Sequence, residues 1–286
     1  RSPDSVTRRT ITMGLSLGLG LGLFLAASAD LTAPLSAQNV GSEQLAALQF
    51  RHIGPTGNRI TSVAGVIGDR FTYYAGAASG GLWKTDDAGL NWRPMFDDYP
   101  VHAIGEIEVA SSDPNIVWLG TGEPFLRSNV SIGNGVWKST DAGETWTHMG
   151  LDATGRISRI IVHPTNPDIV YAASVGHGYA PQQERGIYRT TDGGLTWEHI
   201  LFVDQETGAS DLVMDPNNPR ILLAGTWQIA LRTWTRTSGG PGSGIHMSRD
   251  GGSTWTRLEG HGLPTREVGK IALCMSADDS GRIYAL

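Results

Sequence analysis

The sequence is poor in cysteine and in charge. Its 286 residues include one cysteine, Cys274, so no disulfide can form within the chain. Because Cys274 lies in the apolar run from Ile271, we expect it to be a small core residue. Charged residues make up 17% of the chain, the net charge is −6 and no basic stripe is present, which argues against a nucleic-acid partner.

The short motifs of several enzyme classes are also absent. The sequence contains no G-x-S-x-G elbow, no H-E-x-x-H pair and no cluster of cysteine and histidine. We therefore expect neither a metal nor a cofactor.

One apolar run lies near the N-terminus. Arg8 and Arg9 precede an apolar stretch over residues 13–29, which ends in Ala27-Ser28-Ala29. A positive segment, an apolar segment and small residues in that order are typical of an export signal, and the run is shorter than the ~20 residues of a transmembrane helix. We expect residues 1–37 to be an export signal with a short linker, cleaved after Ala29 or Ala37. The mature part would be secreted or periplasmic without a membrane span, and the export route stays open.

Glycine and tryptophan are abundant, with 38 and 9 residues, and one repeated motif uses both. Four copies of [ST]-x-D-x-G-x-[TN]-W recur about every fifty residues, a period typical of propeller blades. The Asp and Ser/Thr side chains should accept bonds from nearby N–H groups, Gly allows a positive φ, and Trp should pack between neighbouring units. We interpret these aspartates as structural, because the ligand spacing of a calcium loop is missing. We call the motifs the aspartate turns; their residues are Asp87, Gly89, Trp92, Asp141, Gly143, Trp146, Asp192, Gly194, Trp197, Asp250, Gly252 and Trp255.

Short strand-like segments surround each aspartate turn. Each unit contains an apolar strand, a turn rich in Asp, Pro and Asn, a second strand, a Gly-led third strand and then the aspartate turn. Four short antiparallel strands per unit predict an all-β propeller over residues 38–286. About four and a half blades are present, so we expect a longer propeller to continue beyond residue 286. The predicted blades are 50–102, 103–155, 156–208, 209–266 and a partial blade 267–286.

Because neighbouring strands of a blade run in opposite directions, their connections are divided between two faces of the propeller. Connections between strands 1 and 2 and between strands 3 and 4 should share one face, which we call the turn face. Connections between strands 2 and 3 and the links between blades should share the other, which we call the loop face. The loops predicted there are 78–80, 123–134, 175–185 and 227–243. Long, irregular loops on a rigid scaffold are common binding sites. Candidate ligand contacts are Arg127, Tyr179, Arg185, Trp227, Arg232 and Trp234; the alternative is that these side chains pack on their own propeller.

The aspartate turns resemble the Asp boxes of sialidases, sortilin-type propellers and xyloglucanase-like glycoside hydrolases. The sequence is most similar to secreted bacterial BNR-repeat proteins of the sortilin N-terminal-like set, over roughly residues 48–286. The resemblance implies a propeller fold and either a recognition scaffold or a glycosyl hydrolase-like protein. The stretches that carry it are Phe50 to Pro55, Ala77 to Thr85, Gly120 to Pro124, Ser131 to Val136 and Val162 to Pro167.

Catalytic residues are less clearly marked. Xyloglucanase-like enzymes carry an Asp before the paired glycines of the first blade, where this chain has Ala78 and Ser79. Glycoside hydrolysis requires two carboxylates across a cleft, and Glu123 and Glu184 are the candidates on the loop face. We therefore predict a recognition scaffold for a peptide, protein or polysaccharide. The alternative is a xyloglucanase-like hydrolase with part of its site beyond residue 286.

Overall fold

The computed structural model describes residues 59–127 and 129–286. The predicted export signal and the similar stretch that begins at Phe50 lie outside these residues. The strands are β1 (Ile60–Gly65), β2 (Tyr73–Ala77), β3 (Leu82–Thr85), β4 (Arg93–Pro94), β5 (Ile104–Val109), β6 (Val117–Thr121), β7 (Val136–Ser139), β8 (Thr147–His148), β9 (Ile157–Val162), β10 (Val170–Ser174), β11 (Gly186–Thr190), β12 (Glu198–Leu201), β13 (Thr207–Asp215), β14 (Asn218–Leu231), β15 (Arg236–Ser238), β16 (Gly244–Ser248), β17 (Thr256–Arg257), β18 (Leu273–Met275) and β19 (Ile283–Ala285).

The strands form successive antiparallel sheets. Their orders are β1-β2-β3-β4, β5-β6-β7-β8, β9-β10-β11-β12 and β13-β14-β16-β17, and β18 pairs with β19. A short 3-10 helix, Asp152–Thr154, lies between the second and third sheets. The all-β propeller of four-stranded antiparallel blades is confirmed. We number the four sheets as blades one to four.

The core lies between neighbouring blades. One buried cluster joins Tyr74 and Phe96 of blade one to Ile104 and Leu119 of blade two. The blades approach so closely that a Cβ at Gly76 would collide with the side chain of Ile104. Glycine in the second strand therefore makes room for the first strand of the next blade.

Each aspartate turn is closed by its own side chains. In the second turn, the Thr145 N–H donates to Asp141 Oδ1 at 2.8 Å and the Thr145 hydroxyl to Oδ2 at 2.6 Å. The Gly143 N–H donates to Ser139 Oγ at 2.8 Å, and Gly143 has a φ of 91°. These bonds lower the pKa of Asp141 to about 2, the Thr145 hydroxyl having the largest effect. The carboxylate therefore stays ionised and engaged within its own turn.

The turns are also tied to the preceding blade. The indole N–H of Trp146 donates to the Met95 carbonyl at 3.1 Å, and that of Trp197 donates to the Met149 carbonyl at 2.7 Å. The Lys138 ammonium lies 3.3 Å from the Gly193 carbonyl of the next turn. Contacts between blades thus recur at equivalent positions.

Blade four differs from the sequence prediction. Residues 227–243 were expected to form an irregular loop, and this expectation is wrong. Strand β14 continues to Leu231, and β15 returns beside it with Ile229 opposite Ser238 and Leu231 opposite Arg236. Trp227 lies in the same extension. Alternate residues of this extension are buried, which favours a hairpin over a loop.

Cys274 also differs from the sequence prediction. The prediction that it is a core residue is wrong, because its side chain is exposed. Successive residues of a strand point to opposite sides, and in β18 the buried position falls to Leu273, which packs with Val213 and Leu223.

Candidate ligand-binding face

Backbone hydrogen bonds confirm the division into two faces. On the turn face, the aspartate turn of each blade contacts the preceding turn, as where the Gly193 N–H donates to the Asp168 carbonyl at 3.0 Å. On the loop face, the connections between strands 2 and 3 contact the links between blades, as where the Gly133 N–H donates to the Gly155 carbonyl at 2.8 Å. The predicted ligand-binding loops therefore share one face.

Three of these connections meet in a small apolar cluster. Leu126 of blade two, Val175 of blade three and Trp227, Ile229 and Leu231 of blade four are buried together. Because these residues come from three blades, the cluster fixes the loops relative to one another.

Two polar contacts reinforce the cluster. The Leu231 N–H donates to the Gly178 carbonyl at 2.7 Å, and the Arg236 guanidinium donates to the Leu126 carbonyl at 3.2 Å. Beyond them, the Lys270 ammonium lies 4.3 Å from the centroid of the Phe125 ring. The blade-two loop thus reaches the hairpin of blade four and the segment that follows it.

Two buried arginines hold the loops through backbone carbonyls. The Arg185 guanidinium donates to the carbonyls of Glu206, Ile229 and Ala180 at 2.6, 3.2 and 3.2 Å. Arg156 makes similar bonds to Gly176 and His177. Burial lowers the pKa of both arginines. The guanidinium groups of both arginines therefore bind carbonyls of the protein itself.

The six predicted ligand contacts divide by exposure. Arg185 and Trp227 are 1% and 5% exposed, so they support the loops from inside and do not face a ligand. Tyr179 and Trp234 are 56% and 80% exposed. The side chain of Arg127 is 39% exposed, and Arg232 is exposed at the hairpin turn.

Sequence reasoning missed three residues on this surface. Phe125 is 48% exposed, and Arg236 and Lys270 are exposed beside it. Phe125 lies inside the predicted loop 123–134, so an aromatic at a loop position was an available signal. Lys270 belongs to the link after blade four, and no local pattern places it beside Phe125.

The Glu123 carboxylate is fully buried and held by two arginines. Arg127 Nε lies 3.0 Å from Glu123 Oε1, and Arg59 donates to the same oxygen. Burial acts to raise the pKa of Glu123, but the hydrogen bonds from Arg59 and Arg127 outweigh it, and the pKa is lowered. Since a general acid needs a raised pKa, Glu123 is unsuited to donate a proton at neutral pH.

The Glu184 carboxylate has a different environment. It is half-buried, and its Oε2 accepts a hydrogen bond from Gln182 at 3.2 Å. Among the described residues it forms no ion pair with lysine or arginine, so Glu184 is the less restrained of the two predicted carboxylates.

A charged cluster links the first strands of three blades. Arg159 of blade three lies 3.2 Å from both Glu106 of blade two and Asp211 of blade four. Burial raises the pKa of Glu106 to about 7, partly offset by Arg159, and burial also raises the pKa of neighbouring Glu108 to about 7. These groups titrate near neutral pH in the interior of the scaffold.

The described residues contain no helix long and apolar enough to cross a membrane. No group of three or more histidine, cysteine or carboxylate side chains among them is arranged to hold a metal.

Comparison with known proteins agrees with the propeller fold described above. The family profile described as Sortilin, neurotensin receptor 3 (Sortilin-Vps10) matches residues 134–266. Xyloglucanase Xgh74A of Acetivibrio thermocellus is 26% identical over 215 residues, which cover 65% of this chain and 24% of that protein. The photosystem II assembly lipoprotein Ycf48 of Synechococcus sp. is 24% identical over 157 residues, which cover 53% of this chain and 41% of that protein.

A solved structure extends the likeness of fold. An ancestral GH74 enzyme superposes with a TM-score of 0.60 at 16% identity, over 80% of this chain and 29% of that enzyme. This chain spans about a quarter of the length of the curated xyloglucanase that it matches. The chain is therefore an all-β propeller similar to the sortilin-type and xyloglucanase propellers.

Proposed function

We propose that this protein is a propeller scaffold that binds a glycan on its loop face. The observation that carries the proposal is the set of exposed rings, Phe125, Tyr179 and Trp234, on loops from blades two, three and four. Flat aromatic rings offer a large contact area to the apolar faces of sugars. Rings on three separate loops can contact an extended chain at more than one point.

Rigidity of the loops supports this role. The cluster around Leu126 and the carbonyl bonds of Arg185 hold the loops before any ligand arrives. A surface ordered in advance loses less conformational entropy on binding. The loop face is therefore suited to recognition without a large rearrangement.

The names of several relatives support a glycan ligand. Two similar proteins carry the name xyloglucanase, from Acetivibrio thermocellus and from Paenibacillus sp.. A glycan partner would also agree with secretion, which we propose from the apolar stretch after Arg8 and Arg9. Fractionation of cells that express the full chain would test export.

Glycoside hydrolysis is the second candidate, and the names of these relatives favour it. The reaction needs a proton donor and a second carboxylate. Glu123 is held ionised by its arginines, so Glu184 is the better candidate for the donor. Release of reducing ends from xyloglucan, abolished in Glu184→Gln with binding retained, would support hydrolysis. Binding without release would favour the scaffold.

Isothermal titration with xyloglucan and polygalacturonate would test glycan binding. The Trp234→Ala variant should weaken binding about tenfold or more, because the side chain is 80% exposed and its loss removes a contact without disturbing the core. Leu195→Ala is the matched control, since Leu195 is equally exposed but lies in an aspartate turn. Absence of binding to both glycans, or equal losses in the two variants, would contradict the proposal.

A further inference from the structure

Several exposed cations of the loop face lie on the blade-four hairpin and the link that follows it. The hairpin segment 227–243 contains Arg232 and Arg236 and no acidic residue, although the whole chain has a net charge of −6. The Arg236 guanidinium contacts the Leu126 carbonyl, and Lys270 lies over Phe125. These contacts join the hairpin, the blade-two loop and the link after blade four into one surface. We call it the basic-aromatic patch; it consists of Phe125, Arg232, Trp234, Arg236 and Lys270.

The cations of this patch lack acidic partners. Across residues 59–127 and 129–286, no carboxylate lies within 4.0 Å of the charged nitrogens of Arg232, Arg236 or Lys270. Elsewhere on the face, by contrast, Arg127 is paired with Glu123. An unpaired cation at a surface is available to an anion from outside the protein.

Lys270 places a cation beside aromatic rings of the patch. Its ammonium lies 4.3 Å from the centroid of the Phe125 ring and 5.8 Å from that of Trp227. Partial burial lowers the pKa of Lys270, which nearby Asp211 offsets in part. The ammonium therefore lies beside two aromatic rings, on a residue that is exposed at the surface.

Aromatic rings stand next to these cations. Phe125 is 48% exposed and Trp234 is 80% exposed, and Trp234 lies between the two arginines in the hairpin turn. A ligand that satisfies both kinds of group must combine flat apolar faces with negative charges along one chain. Neutral glucans supply the first, and acidic peptides supply mainly the second.

We propose that the basic-aromatic patch binds an acidic polysaccharide whose sugar rings carry carboxylates, an inference that rests on the proposed glycan binding. The sugar faces stack on Phe125 and Trp234. The carboxylates pair with the guanidinium groups of Arg232 and Arg236 and with the Lys270 ammonium, and a planar guanidinium can hold a carboxylate through two bonds.

The test compares polygalacturonate, neutral xyloglucan and polyglutamate by isothermal titration at low and moderate salt. The protein should bind polygalacturonate about tenfold more tightly than either of the others. Salt should weaken this binding, because exposed charge pairs are screened. The variant Arg232→Gln, whose side chain holds no loop carbonyl among the described residues, should bind polygalacturonate several-fold more weakly and keep its affinity for xyloglucan. Lys270→Met, which keeps an apolar stem beside Phe125, should lose affinity in the same direction.

Arg249→Gln is the matched control, because Arg249 is exposed in an aspartate turn. An equal loss in this variant would mean attraction to the whole protein and would overturn the inference. Equal affinity for polygalacturonate and polyglutamate would also overturn the inference. If xyloglucan binds as tightly as polygalacturonate, the inference fails and the proposed glycan binding stands. If neither glycan binds, the proposed function fails, and the inference fails with it.

Discussion

The turn face and the loop face belong to the same blades but are held together in different ways. On the turn face, each Asp accepts bonds from residues within four positions, as Asp141 does from Thr145. On the loop face, Arg185 binds carbonyls up to 44 residues away and Arg236 reaches across 110 residues. The first arrangement repeats in each aspartate turn, whereas the long-range contacts differ from blade to blade. The repeated contacts build the scaffold, and the long-range contacts shape the surface that we propose binds a ligand.

The largest expected effect tests the support of the loop face. Replacement of Arg185 by Met removes the guanidinium donor of three carbonyls, of which only that of Glu206 is shown with a second donor, the Ile229 N–H, and should lower the free energy of unfolding by about 3 kcal/mol. Replacement of the exposed Arg232 by Met should change the free energy of unfolding by less than about 0.5 kcal/mol. Chemical denaturation measures both. Equal effects would show that the buried guanidinium does not support the loops.

A smaller effect is expected from a single aspartate turn. Asp141→Ala removes the acceptor of the Thr145 N–H and hydroxyl, and should lower the free energy of unfolding by about 1–2 kcal/mol. Asp152→Ala is the control on the loop face, because that side chain is 70% exposed. Glycan affinity should be unchanged in both variants. Full thermal stability of Asp141→Ala combined with loss of binding would overturn the structural interpretation of the turns.

The interior cluster predicts a dependence on pH. The pKa of Glu106 and of Glu108 is raised to about 7 in the folded protein. Between their unfolded pKa, near 4.5, and pH 7 the folded state binds more protons, so stability should fall as pH rises through this range. His246 should have the opposite effect on stability. Because burial lowers its pKa to about 4, its contribution to stability should rise as pH increases from 4 to 6.5.

Comparison with Glu106→Gln isolates the carboxyl contribution. This variant should reduce the fall in stability between pH 5 and 8 by more than half, since it removes one of two described carboxyls with a pKa near 7 and also the charge that helps to raise the pKa of the other. Glu144→Gln should leave the slope intact, because Arg93 lowers the pKa of Glu144 below this range. The measurement is the thermal midpoint across a pH series. An unchanged slope in Glu106→Gln would show that Glu106 is already ionised at pH 5.

Much of the scaffold could be predicted from the sequence because its bonds are local. The spacing of Ser139, Asp141 and Gly143 contains the whole turn, and the predicted apolar first strands of blades two and three correspond to Ile104–Val109 and Ile157–Val162. The period of the motif then gave the blades and their two faces.

The loop face was less predictable because its partners are distant in sequence. Arg185 stands before the glycine that leads β11 and looked like a loop residue, yet its acceptor Glu206 lies in the link after blade three and its acceptor Ile229 lies in blade four. The pairing of Lys270 with Phe125 also depends on how three blades assemble. The continuation of β14 was readable from the alternate apolar residues at its end, but the length of the segment favoured a loop.

The most direct test of the account is hydroxyl-radical labelling of the protein with and without bound polygalacturonate. If the ligand lies on the loop face, the glycan should protect Phe125, Tyr179 and Trp234. Leu90 and Leu195, which are 70% and 80% exposed in aspartate turns, should be labelled equally in both samples. Protection of the two leucines with unchanged labelling of the three rings would place the ligand on the turn face and contradict the account.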